Sequence, residues 1–103
     1  MSMLHMVVNT HNPESCAFRS EDDEAALAPG FGQVARVAQE RGAALQGSWV
    51  NTASHTIFLL IDAPNAHLID EVIRESGLTG RTHTQVFAIQ DTQALLDAEG
   101  PDR

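Results

Sequence analysis

The segment Thr10-His11-Asn12-Pro13-Glu14-Ser15-Cys16 gathers an imidazole, a carboxylate and a thiol around a proline-stiffened turn. Each of these groups ligates soft or borderline transition metals. His11 and Cys16 lie five residues apart, and in a loop that spacing lets both side chains turn to one point. The segment alone is short of the ~4 ligands of a structural zinc site. A strand pairing antiparallel with the one that ends at His11 would bring His83 alongside. The candidate metal site is therefore His11, Cys16 and His83, with Glu14 as a ligand or as a base beside the metal. Two imidazoles and a thiolate suit copper or zinc, and a histidine site with Glu14 suits iron. Without a metal, His11, Glu14 and Cys16 form the candidate catalytic set, because a cysteine beside a histidine can be an activated thiolate. Simpler roles stand beside these. His11 can end a strand and bond a loop carbonyl, Glu14 can be the acid of a turn, and Cys16 can be a small buried hydrophobe.

Other residues have lesser claims. Asn9, His11 and His83 would serve as polar anchors, acid or base for a small organic ligand. Val7, Phe58 or Ile57, and Phe87 would make its apolar wall. Asn9 and Phe87 are the ligand-binding candidates of that reading. His5 shares a strand face with Asn9 and His11. His55 opens the third strand and is expected at the opposite end of the sheet from His11, so that only a partner subunit could join them. His67 is expected in solvent, and Trp49 is expected to pack rather than to stack on a ligand.

The elements that must position these groups are legible from periodicity. Alternation predicts a first strand over Leu4 to His11, with Leu4, Met6, Val8 and Thr10 on one face. Ser20 can cap a short helix carrying Glu21 to Glu24, which Pro29-Gly30 should interrupt. A longer helix follows over Phe31 to Arg41, with Phe31, Val34, Val37 and Ala38 on its apolar side and Gly42 as its stop. Strands are predicted over Leu45 to Asn51, His55 to Asp62 and Thr82 to Gln90. Asn65 caps a second helix whose stripe is Leu68 (or Ala66), Ile69, Val72 and Ile73. A short helix over Thr92 to Ala98 and a polar tail end the chain. The whole reads as one domain over 1–103, with its core over about 4–91.

That order is β-α-β-β-α-β, an α+β ferredoxin-like arrangement. Right-handed crossovers give a four-stranded antiparallel sheet of order 4-1-3-2 with both helices on one face. The other face is left open, with Val7 expected on it. A second copy would cover it most simply, so a homodimer is expected.

Composition narrows the classes of function. The 103 residues carry fourteen acids and six bases, for a net charge of −8. Nucleic acid and anionic membranes are therefore poor partners. All six bases are Arg, so no lysine Schiff base can form. No Tyr is present to act as acid, base or radical site. No apolar run approaches a membrane span, no secretory signal opens the chain, and the one cysteine has no partner for a disulfide. A cytoplasmic setting is expected.

The stretch Gly47-Ser48-Trp49-Val50, followed by His55-Thr56-Ile57-Phe58-Leu59-Leu60-Ile61-Asp62-Ala63-Pro64, resembles the hairpin of small uncharacterised families in the dimeric α+β-barrel superfamily. The resemblance runs from Leu4 to about Gln90. It implies two ferredoxin-like subunits pairing their sheets. It implies a ligand between sheet and helices or within the barrel. Cofactor-free oxygenases, lactone isomerases, haem-degrading enzymes, haem peroxidases and binding modules share that fold, so fold alone selects no activity. Three readings follow: a metal-binding barrel with a redox or oxygen-handling role, a metal-free barrel for a small molecule, and a non-catalytic regulatory dimer.

Overall fold

The computed structural model describes residues 3–11, 21–78 and 82–99. Seven elements follow one another: β1 (Met3–Thr10), α1 (Glu21–Glu40), β2 (Ala44–Asn51), β3 (Thr56–Ala63), α2 (Ala66–Glu75), β4 (His83–Ile89) and α3 (Thr92–Glu99). The four strands form one sheet of order β2-β3-β1-β4, with every neighbouring pair antiparallel. This is the expected ferredoxin-like order.

β3 sits at the centre of the sheet. Its inward residues Ile57, Leu59, Ile61 and Ala63 are buried, and its outward residues Phe58 and Leu60 are partly covered. An antiparallel sheet can leave one face polar and in water, so Phe58 and Leu60 on the outward side of β3 are more apolar than the helices alone require. Val34, Val37 and Ala38 of α1 and Ile69, Val72 and Ile73 of α2 close over the inward face. In each helix these positions recur every three or four residues, so one stripe meets the sheet. α2 starts where Asn65 Oδ1 accepts the Leu68 N–H at 2.8 Å, and it ends beside Gly77 in the left-handed region. Arg41, just past α1, pairs with Glu71 and Glu75 of α2 and ties the two helices at their exposed side.

Two expectations are corrected. α1 is one continuous helix, with Pro29-Gly30 inside it rather than between two helices. A proline removes one helical hydrogen bond without having to end the helix. Gly30 then serves packing: a Cβ there would lie 2.6 Å from the Ser76 carbonyl oxygen. Glycine thus lets α1 cross close to the end of α2. Val7 is the second correction. It is fully buried on the helix-covered face, and Leu4, Met6, Val8 and Thr10 belong to the open one. Alternation sorts residues into two faces but does not say which face the helices cover.

The open face is apolar. Register aligns Met6 with Leu60 and Phe87, Val8 with Phe58 and Gln85, and Phe58 with Trp49. Trp49 is 55% exposed and Phe87 49%. The Trp49 ring lies over Gly47, where a Cβ would come within 2.4 Å of it. The Gly-x-Trp pattern is thereby explained: the glycine leaves room for the indole to lie flat along its own strand. No helix among the described residues is long and apolar enough to cross a membrane.

Candidate functional site

The C-terminal end of β1 places two imidazoles together. β1 and β3 are antiparallel, with Thr10 opposite Thr56. One step further, the His11 N–H donates to the His55 carbonyl at 3.3 Å. The two rings meet edge to face, with centroids 5.4 Å apart and planes at 73°. This corrects the expectation that one subunit keeps His11 and His55 apart. In an antiparallel pair the start of one strand adjoins the end of its neighbour, so the turn before β3 must reach the end of β1.

His55 is held by its turn. Its N–H donates to the Thr52 carbonyl at 3.4 Å, and the Ser54 N–H donates to Asn51 Oδ1 at 3.2 Å. Its φ of +53° makes it the only non-glycine residue in the left-handed region among the described residues. Histidine is one of the few residue types enriched there, but a side chain in this region is still uncommon.

The surroundings of His11 favour its neutral ring. Burial, and then the neighbouring His55, hold the His11 imidazole below its ordinary pKa of 6.5. Both His11 ring nitrogens and His55 Nδ1 are buried with no hydrogen-bond partner. Leaving a buried polar group unpaired costs about 1–3 kcal/mol. A neutral imidazole offers one lone pair and one N–H. The lone pair is a metal ligand, and the N–H usually finds a carbonyl or carboxylate when the metal is bound.

Asn9 lies on the same face, two residues before His11. It is fully buried, and its Nδ2 donates to the Thr82 and Thr84 hydroxyls at 2.9 Å each. His5, on that face too, bonds through Nδ1 to the Met3 carbonyl at 2.9 Å.

His83 is exposed and pairs with Thr10, whose hydroxyl donates to the His83 carbonyl at 3.5 Å. The side chains that reach Asn9 are those of Thr82, just before β4, and Thr84 within it. Alternation sends the intervening His83 side chain to the open face. His11 and His83 are thus strand neighbours whose side chains part across the sheet. Asn9 and Phe87 are separated in the same way, Asn9 beneath the helices and Phe87 on the open face. They do not line one pocket. Glu14 and Cys16 lie outside the described residues, and among the described residues no three of His, Cys, Asp and Glu gather as a metal cluster. His67 is exposed beside Glu71, as expected. A surface groove of about 320 Å³ runs between Leu4, Ile89 and the α3 residues Ala94, Leu95 and Ala98. It lies at the other end of β1 from the imidazole pair.

A family model for a domain of unknown function, DUF3303, matches residues 3–98. The chain belongs to the DUF3303 family. No curated protein matches it. In fold, this DUF3303 chain is similar to SCO4226 from Streptomyces coelicolor A3(2). The TM-score is 0.56 at 16% identity, over 85% of this chain and 98% of that one. It is also similar to part of an amidase of the hydantoinase/carbamoylase family from Burkholderia multivorans. There the TM-score is 0.57 at 16% identity, over 86% of this chain and 27% of the amidase. At that identity the likeness is one of fold. The imidazole pair of the DUF3303 chain has to be read from its own residues.

Proposed function

We propose that the chain is a small transition-metal-binding α+β protein that works as a homodimer. The observation that carries the metal reading is the His11–His55 pair, with three buried ring nitrogens lacking hydrogen-bond partners. Coordination would use at least one lone pair on each ring and relieve part of that penalty. Glu14 and Cys16, three and five residues beyond His11, are the further donors. His55 takes the place first given to His83. With the thiolate, the set suits copper or zinc, and with the carboxylate it suits iron. Redox or oxygen chemistry would be the metal's own, while the chain fixes the imidazoles and excludes water.

The dimer reading is supported by the open sheet face. The largest apolar patch on a chain is often functional, and Met6, Val8, Phe58, Leu60, Trp49 and Phe87 adjoin one another on this face. Asp62 is its one carboxylate and no arginine lies on it. Two copies that each carry a charge of −8 therefore meet there with little local repulsion. A second copy is the occupant that fits.

Elemental analysis of untagged protein grown with copper, zinc and iron tests the metal reading. Near one equivalent of metal, lost in His11→Ala and reduced in Cys16→Ser, supports it. Less than a tenth of an equivalent, with no uptake on titration, refutes it.

A further inference from the structure

Asn9, two residues before His11, carries a further buried atom without a partner, and the inference drawn from it rests on the metal reading above. Asn9 is the next-to-last residue of β1 and His11 the first residue past its end, so their backbones lie roughly 7 Å apart. Their side chains are therefore near enough to converge on one ion, with ligand distances of about 2.0–2.2 Å.

The carboxamide is locked in one orientation. Asn9 Nδ2 spends both protons, one on Thr82 Oγ1 and one on Thr84 Oγ1. Thr82 Oγ1 donates its only proton onward to the Leu78 carbonyl at 2.8 Å. Toward Asn9, that oxygen can only accept. A flipped amide would set oxygen against oxygen there, so the network decides the assignment. What remains is Asn9 Oδ1, which is buried and has no partner. An apolar residue of similar shape would avoid that penalty.

We propose that Asn9 Oδ1 is a third donor at the His11–His55 centre, adding a carbonyl oxygen to the two imidazole nitrogens and to the Glu14 and Cys16 donors named above, so that the centre takes a borderline divalent cation. A carbonyl oxygen is a hard donor and imidazole a borderline one. Together they favour Zn²⁺, Co²⁺, Fe²⁺ or Cu²⁺ over Cu⁺, which prefers sulfur. Thr82 and Thr84 are positioning residues: they aim the amide and touch no metal.

The test is a Co²⁺ titration of metal-free full-length protein, followed by visible absorption and by melting temperature. Wild type should bind one Co²⁺. Asn9→Ala should bind more than about tenfold more weakly and show a changed visible band. Thr84→Val should lose affinity by about tenfold, in line with outer-sphere partners elsewhere. Asn9→Asp should keep binding, and its melting temperature should rise more on Co²⁺ addition than that of wild type. The metal would then neutralise a buried carboxylate. If Asn9→Ala does not fold, Asn9→Asp and Thr84→Val decide. Equal affinity and one unchanged spectrum for wild type and the Asn9 variants would overturn the role of Asn9 and leave the imidazole pair standing. No Co²⁺ binding by wild type would overturn the metal reading itself.

Discussion

The two faces of the sheet lack different things. The helix-covered face buries the inward residues of β1 and β3, yet at its polar end His11, His55 and Asn9 keep buried atoms without partners. The open face has no such orphans, yet it leaves Trp49 and Phe87 half in water. One face lacks hydrogen-bond or ligand partners, and the other lacks apolar cover. A small cation can satisfy the first, and only a surface can satisfy the second. Under the proposal above, one strand serves both needs: β1 gives Asn9 to the cation site and Met6 and Val8 to the docking face.

One substitution on each face, at Leu59 of β3 beneath the helices and at Phe87 of β4 on the outside, should have the largest effects. Leu59→Ala removes a fully buried side chain and should cost about 2–5 kcal/mol in urea unfolding. Phe87→Asp, on the open face, should leave the fold of one subunit intact and shift sedimentation from dimer to monomer. A dimer that survives Phe87→Asp unchanged would remove the open face from the interface.

His55→Gly sharpens the polar end of the comparison. Glycine adopts φ +53° freely, where a side chain costs about 1 kcal/mol. The metal-free variant should be as stable as wild type or slightly more so, while its metal affinity falls by more than about tenfold. A fall in both would mean that His55 holds the turn rather than a ligand.

Protons should separate the faces more weakly. The folded chain holds the His11 pKa below 6.5, so the unfolded chain binds more protons in the window just under that value. Stability of metal-free protein should therefore decline as pH falls through that window. His11→Gln should flatten the decline in thermal melts taken across it.

The smallest effect expected is optical. Trp49 is the one tryptophan and no tyrosine is present, so fluorescence reports the open face alone. Emission should shift to the red on dilution through dimer dissociation and should be unmoved by chelation.

Much of this was legible before the structure. β3 declared itself by five apolar residues in a row, and α2 by its Asn65 cap and its Ile69, Val72 and Ile73 stripe. α1 was read as two helices because proline and glycine usually interrupt, and the close approach of Gly30 to Ser76 is a tertiary fact. A period of two leaves the covered face undecided, so the sequence alone puts Val7 on the wrong one. His11 was singled out by its neighbours in sequence, whereas His55 has none that bear chemistry. The antiparallel order was enough to place His55 beside His11, since a turn that opens β3 must meet the end of β1. Asn9 drew notice only as an anchor. Its locked amide depends on Thr82 and Thr84, more than seventy residues away.

The central claim is that one cation is held by two particular imidazoles among five. Long-range ¹H–¹⁵N spectra of the histidine rings, recorded before and after one equivalent of Zn²⁺, read it directly. Ring nitrogens of His11 and His55 should shift together and saturate at one equivalent, with His5, His67 and His83 unmoved. Shifts at His67 or His83 in their place, or none at any ring, would contradict it.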